Sequence, residues 1–262
     1  MNYETLLIEN KNGVDYLTLN RPEALNSLNK KMVEELRNYF GELYFNQKVR
    51  VVVIKGSGRA FCAGLDLKEG IDISGVVKGM GAQREISEII IKMRRCPQTI
   101  ISLVHGAACG GGFAIALASD IRIAGKSAKM NAAFIKIGLS GCDVGVSYLL
   151  PRLIGLSVAS ELILTGRFIY AERALKVGLV SDVVEDSDLD HAVLPLVEDL
   201  LATTPFGLRL TKECLNLSVD ASGLEAVIAM EDRNQMLCAQ SSDFEEGINA
   251  FFTKQKPNYK NE

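Results

Sequence analysis

The sequence predicts an α/β fold in which buried strands alternate with helices, closed by a helical C-terminal third. Two observations predict the first part. Residues 49–56 (VRVVVIKG) and 98–106 (QTIISLVHG) are short continuous apolar runs, the pattern of strands covered on both faces. Between and around them lie longer segments with helical spacing. The third observation is a change of character after about residue 165, where helical segments succeed one another almost without strands.

Taken in order, residues 4–9 and 14–19 read as two strands around the turn KNG, with Val14, Tyr16 and Thr18 alternating with Asp15, Leu17 and Leu19. The loop NRPEALNSLN leads to a helix over 30–45, whose apolar positions Met32, Val33, Leu36, Phe40, Leu43 and Tyr44 keep helical spacing, with Asn29 as its N-cap. Strand 49–56 follows. Residues 70–82 are glycine-rich and aperiodic, which predicts a mobile loop before a helix over 83–95. Strand 98–106, a glycine turn with a buried helix, and a strand at 120–125 complete this part. Helices are expected at 171–177, 188–202, 207–217, 222–240 and 243–254, with one short strand at 179–184.

The 262 residues are 48% apolar, ample for a core, and carry a net charge of −3. That balance offers no basic face for nucleic acid. No run is long and apolar enough to span a bilayer, so no membrane partner is expected. The N-terminus lacks the features of a signal peptide. The six cysteines form no CxxC pair or regular framework, which points to a reduced, cytoplasmic protein. The two histidines have no metal-ligand spacing with them, so no metal site is expected.

Two turns are built from small residues ahead of helices: Ala63-Gly64-Leu65-Asp66-Leu67 and Cys109-Gly110-Gly111-Gly112. Glycine inside a helix costs about 1 kcal/mol relative to alanine, so the triplet needs a reason. Helix N-termini present unpaired N–H groups, and two of them aimed at one point would stabilise an oxyanion. The alternative is a packing device where a helix crosses a strand. A phosphate loop is the third reading, but neither GxxxxGK[ST] nor GxGxxG is present.

Together, GRAFCAGLDLKE (58–69), HGAACGGGFAIALASDIRIAG (105–125), NRPEALNSLN (20–29), LPRLIG with ELILTGRFIYAERALKVGLVSDVV (150–184) and EGINAFFTKQKPNYK (246–260) resemble the crotonase superfamily, the enoyl-CoA hydratase/isomerase enzymes, over essentially the whole chain. The resemblance implies a spiral of ββα repeats over residues 1–195 and a C-terminal helical trimerisation region over 196–262. It implies a homo-trimer or a dimer of trimers acting on acyl-CoA thioesters, with no separate cofactor because CoA is part of the substrate. By position, the N–H groups of Leu65 and Gly111 would hold the thioester oxygen. Glu23 and Ala24 would line the pantetheine, and the backbone of Ala63 the adenine. Arg59, Lys68, Phe251 and Lys254 are similar to residues near the nucleotide end. Asp66, Leu67 and Gly110, in the same two turns, complete the implied CoA-binding set.

The chain departs from the family's hydratases at both glutamate positions, which are Ala114 and Phe134 here. Hydration needs an acid and a base around one water, so a hydratase using that pair is not expected. Asp143, in IGLSGCDVGVSYLLPR, resembles the aspartate of dienoyl-CoA isomerases and of chlorobenzoyl-CoA dehalogenases. Against the second stand the absence of tryptophan and the lack of a histidine in the preceding helix. Asp143 is read either as the acid–base group or as a cap of the following helix. Glu85 and Glu88 could swing over the pocket. Asp66, His105 and Asp120 read as structural, and Cys62 and Cys142 as small hydrophobes. The leading function is an isomerase or lyase that stabilises a thioester enolate. Its rivals are a silent acyl-CoA binder and, as in one branch of the family, an RNA binder, for which the mixed-charge first helix is unsuited.

Overall fold

The computed structural model describes residues 3–70 and 74–261. β1 (Leu6–Lys11) and β2 (Val14–Leu19) form an antiparallel hairpin through Asn12-Gly13. The chain continues through α1 (Lys30–Leu43), β3 (Val51–Gly56), α2 (Val76–Arg95), β4 (Thr99–Val104), β5 (Ala107–Cys109), α3 (Gly111–Ala118), β6 (Ile121–Gly125) and β7 (Lys129–Asn131). Then come α4 (Val146–Ile154), α5 (Leu156–Thr165), β8 (Ile169–Tyr170), α6 (Ala171–Lys176) and β9 (Asp182–Val184). Five helices end it: α7 (Leu189–Ala192), α8 (Leu194–Leu201), α9 (Pro205–Ser218), α10 (Leu224–Ala239) and α11 (Ser242–Thr253).

A six-stranded sheet has the order β1-β2-β3-β4-β6-β9, parallel from β2 onward, and a three-stranded sheet the order β5-β7-β8. β3 shows why the apolar runs have no alternation. Val52 and Ile54 join the core beneath α1, α2 and α3, while Val51 and Val53 join a second core with Leu189, Val193 and Val197. Both faces of the strand are therefore dry. The stripe of α1 buries Met32, Val33, Leu36, Phe40 and Leu43, and the Asn29 side chain accepts from the Met32 N–H, as expected of its N-cap. No helix among the described residues is long and apolar enough to cross a membrane.

Several expectations need correction. Residues 76–82 are not a loop but the first turns of α2. They were illegible because Val76, Val77 and Met80 lie 82%, 86% and 66% exposed, so no apolar stripe marks them. Residues 71–73 of that expected loop lie outside the described residues. The first strand is displaced to Leu6–Lys11. α1 stops at Leu43, and Tyr44, expected inside it, lies 43% exposed beyond its end. Apart from these, α8 runs through residues 195 and 196, and its Val197 joins Val193 against the main sheet. The next helix is latched to the core as well: Lys212 on α9, 7% exposed, donates to the Gln98 carbonyl at 2.7 Å and pairs with Asp120 at 2.8 Å.

Candidate active site

The site is assembled from backbone before any side chain takes part. The 3₁₀ turn Pro22–Ala24 leads into Leu25 and Asn26, both at positive φ (53° and 54°). Asn26 is fully buried and stitches this loop to the next. Its Oδ1 accepts from the Arg21 N–H at 2.9 Å, and its Nδ2 donates to the carbonyls of Ser57 and Ala60 at 2.8 and 2.7 Å. Leu28 then brackets Leu65: the Leu28 N–H donates to Gly64 O at 2.7 Å, and the Asp66 N–H donates to Leu28 O at 3.1 Å. This arrangement leaves the Leu65 N–H without an acceptor among the described residues.

The second turn lies against the first. Gly64 has φ +94°, and a β-carbon there would stand 2.7 Å from Cys109 O and 3.5 Å from Gly111 N. Gly110 has φ +50° and ψ −117°, open only to glycine. At Gly112 a β-carbon would fall 2.2 Å from Cys62 O. The triplet is thus required for packing. It also brings Gly111, the first residue of α3, beside the Gly64-Leu65 turn with its N–H unpaired by the helix. The glycines therefore serve the packing of the two turns; the first turn opens no helix, contrary to expectation, since the next one begins at Val76.

Asp66 is 6% exposed, and its carboxylate is turned inward. It accepts from Arg21 at 2.9 Å, from Ser27 at 3.0 Å, and from the N–H groups of Lys68 and Glu69. Burial alone would raise its pKa, but the Glu69 N–H, Arg21, the Lys68 N–H and Ser27 bring it down to about 2. Its side chain orders the turn. Glu23, Arg59, Leu67 and Lys68 are exposed around these two loops, with Ala24 and Ala63 half-buried between them. No hydrogen bond or ion pair among the described residues joins Phe251 or Lys254 to residues 23–68; both are exposed on α11 and its C-terminal end.

Beyond the glycines the wall is carbon. Ala114, one turn into α3, is fully buried, and Phe134 is 9% exposed with its ring 3.4 Å from the β-carbon position of Gly110. The thiols nearby are held protonated by burial, Cys62 at about 12 and Cys109 at about 11. Cys142 is exposed rather than packed away.

Asp143 is half-buried, and burial raises its pKa above 3.8 against the opposing pull of two donors. Both donors, the Val144 N–H at 2.8 Å and the Gln83 Nε2 at 2.5 Å, reach the same oxygen, Oδ1. No donor among the described residues reaches Oδ2. Asp143 does not cap α4: the N-cap residue is Gly145, and no side chain caps it. Val144 holds φ +37°, a left-handed backbone that a β-branched residue rarely adopts.

Gln83 and Val144 escaped sequence reasoning: the helix expected over 83–95 begins at Gln83, but nothing in the sequence shows that its side chain meets Asp143 60 residues on. Glu85 pairs with Arg37 of α1 at 3.6 Å instead of covering the site. Glu88, five residues past Gln83, is rotated well over a right angle from it around the helix. His105 bonds the Gly58 carbonyl at 3.0 Å, and Asp120 accepts from the Ile100 N–H, Arg94 and Lys212, so both are structural as expected.

The family model for enoyl-CoA hydratase/isomerase matches residues 9–262. Over 259 residues, 98% of each chain, the sequence is 36% identical to the 1,2-epoxyphenylacetyl-CoA isomerase of Escherichia coli. It is similar in structure to an enoyl-CoA hydratase from Bacillus anthracis, with TM-score 0.93 and 33% identity over 99% of this chain and 100% of that one. An enoyl-CoA hydratase from Mycobacterium smegmatis gives 0.91 at 30% identity, covering 98% and 99%. With the crotonase fold in place from the first strand to the last helix, the chain belongs to the enoyl-CoA hydratase/isomerase family.

Proposed function

We propose that the chain moves a proton within an acyl-CoA thioester, shifting a double bond, with Asp143 as both base and acid. The observation that carries this reading is one half-buried carboxylate with an unengaged Oδ2, in a chain that has carbon side chains, Ala114 and Phe134, at the two positions where the family's hydratases carry glutamates. A single carboxylate suffices for isomerisation but not for the two-group activation of water.

In this reading the N–H groups of Leu65 and Gly111 donate to the thioester oxygen. Oδ2 of Asp143 takes a proton from Cα, and the C–H electrons pass into the enolate that those N–H groups stabilise. The electrons return through the conjugated system, and Asp143 gives the proton back at Cγ. The raised pKa of Asp143 suits a group that must both accept and release. CoA enters as part of the substrate, along Glu23, Ala24, Ala63, Asp66, Leu67 and Gly110, with Arg59 and Lys68 toward its phosphates. One relative is named an isomerase, of an epoxyphenylacetyl-CoA, which supports isomerisation of an acyl-CoA but not a particular bond shift.

The test is incubation with a 3-enoyl-CoA and with crotonyl-CoA in D₂O, followed by mass and by absorbance of the conjugated thioester. Double-bond migration with deuterium exchange and no hydration is the expected result, and Asp143→Asn should lower it ~10²–10⁴-fold with CoA-ester affinity nearly unchanged. Hydration of crotonyl-CoA would overturn the reading. Binding without any turnover would favour a silent acyl-CoA binder, the second reading that Ala114 and Phe134 support.

A further inference from the structure

We infer that Arg122 on β6 is a positioning residue for the reaction: a buried cation set behind α3, whose charge strengthens the hold of the Gly111 N–H on an enolate oxygen at the other end of that helix. The inference rests on the reading of Leu65 and Gly111 as the donors to that oxygen, and adds a residue that touches no reacting atom and acts through α3.

A helix leaves its last four carbonyls without helical partners, and in α3 these belong to Ile115–Ala118. Ile115 O accepts the N–H and the hydroxyl of Ser119, at 3.2 and 3.1 Å. Ala116 O and Leu117 O accept from Nη1 of Arg122 at 3.3 and 3.4 Å, and Ala118 O from Nη1 of Arg94 at 3.4 Å. Arg122 also donates to the carbonyls of Ser119 at 2.5 Å, Asp120 at 3.4 Å and Leu179 at 2.8 Å. It is 7% exposed, and no carboxylate contacts it among the described residues. The carboxylate of Asp120 is divided between Arg94 at 3.2 Å and Lys212 at 2.8 Å. Burial lowers the pKa of Arg122 to about 10, so the charge is present at neutral pH. Capping carbonyls needs no charge, as the Ser119 hydroxyl shows. A buried cation without a paired carboxylate is costly, and that cost calls for a use.

Its position supplies one. The backbone dipoles of α3 place partial positive charge at Gly111 and partial negative charge at the carbonyls that Arg122 meets. A cation there cancels the negative end and leaves the positive end unopposed. The eight residues of α3 span about 12 Å. All eight are buried, so solvent screens the interaction weakly. At that range, with an effective dielectric constant of about 20, one charge changes the rate of a step that builds an oxyanion at Gly111 by about five- to tenfold. The neutral thioester oxygen of the bound substrate gains far less, so the effect falls on turnover and not on binding.

The experiment uses the full chain as wild type, Arg122→Lys, Arg122→Gln and Asp120→Asn. It reads kcat and KM with a 3-enoyl-CoA, and the infrared carbonyl band of bound butyryl-CoA, isotope-labelled at the carbonyl, which falls in frequency as its oxygen is polarised. Arg122→Gln keeps amide donors and loses the charge. It should lower kcat about five- to tenfold with butyryl-CoA affinity within about twofold of wild type, and move the band up toward its position in the free ester. Arg122→Lys keeps the charge and loses the planar fork of donors, and should hold kcat and the band near wild type. Asp120→Asn removes a negative charge from the same end of α3 and should move the band the other way, below wild type. That opposite shift keeps the proposal testable where Arg122→Gln does not fold. Equal losses of turnover in Arg122→Lys and Arg122→Gln, or a band that stays in place across the variants, overturns the proposal. A wild-type band still below that of the free ester then leaves the reading of Leu65 and Gly111 intact. A wild-type band at the free-ester position, or a folded chain that binds no butyryl-CoA, overturns both.

Discussion

Gln83, two turns into α2, donates its side-chain amide to Oδ1 of Asp143 at 2.5 Å across 60 residues of sequence. Together with the Val144 N–H on the same oxygen, this fixes the carboxylate's rotation and leaves Oδ2 without a donor among the described residues, open for the proton transfer proposed above. Gln83 touches no reacting atom in this arrangement; it is a positioning residue for Asp143.

Gln83→Leu removes a donor that favours the charged carboxylate. The acid limb of the kcat–pH profile, already expected above 3.8 because burial raises Asp143, should move further up. Turnover at its optimum should fall about tenfold, the worth of one hydrogen bond to a charged group. Gln83→Glu, which sets a like charge against Asp143, should move the limb further still. A profile that stays in place in both variants would remove Gln83 from the mechanism.

Val144 carries the strain that aims Asp143. Its φ of +37° costs about 1–2 kcal/mol for a residue with a β-carbon, against roughly 1.5 kcal/mol gained by burying its side chain. Val144→Gly exchanges one for the other and should change stability by less than about 1 kcal/mol. Val146→Gly, at a fully buried helical position without that strain, should cost about 3 kcal/mol. Urea denaturation of the pair reads the difference; equal losses would mean that Val144 stores no strain. Turnover should fall in Val144→Gly, because the loosened turn no longer holds Oδ1.

The parts of this molecule that were legible are those where one rule acts alone. Burial on both faces made β3 and β4 visible, and a side-chain cap made the start of α1 visible at Asn29. The first turns of α2 stayed hidden because helicity there is carried by the buried Ile89, Ile90 and Met93 at the far end, not by local pattern. The role of Asp143 was ambiguous for a similar reason. An aspartate near a helix start looks like a cap, and only the backbone of Val144 and Gly145 moves the cap position past it. The glycine triplet was legible as a demand on the backbone, but Cys62, which makes that demand at Gly112, sits 50 residues away.

The Arg21–Asp66 pair should govern acid stability. Both side chains are about nine-tenths buried. The pKa of Asp66 lies at about 2 in the fold and near 3.8 outside it, so its contribution is fully present above 3.8 and is lost as pH falls toward 2. Asp66→Asn should flatten the pH dependence of stability across that window. Arg21→Ala should cost about 3 kcal/mol at neutral pH by leaving a buried charge without its partner. A steep acid transition surviving unchanged in Asp66→Asn would place the sensitive carboxylate elsewhere.

α10 points to self-association. Its 16 residues include none that is buried in the single chain, and Leu224, Met236 and Leu237 are 74%, 63% and 49% exposed. A helix of that length is marginal in water without an apolar face to bury, and its packing in the chain is confined mainly to α9 and α11. α9 adds Leu215 and Leu217, with Val219 just past its end, each more than half exposed. Exposed apolar residues on a helix that buries nothing in its own chain are expected at a protein contact, which the trimer or dimer of trimers implied by the resemblance would supply. Sedimentation should therefore give a multiple of the 28.5 kDa chain mass, and Ile228→Arg with Met236→Arg should shift it toward the monomer. Backbone amides of α10 should exchange slowly in the wild type and quickly in the double variant. A wild-type monomer whose α10 amides are nonetheless protected would show that the helix needs no second copy to stand.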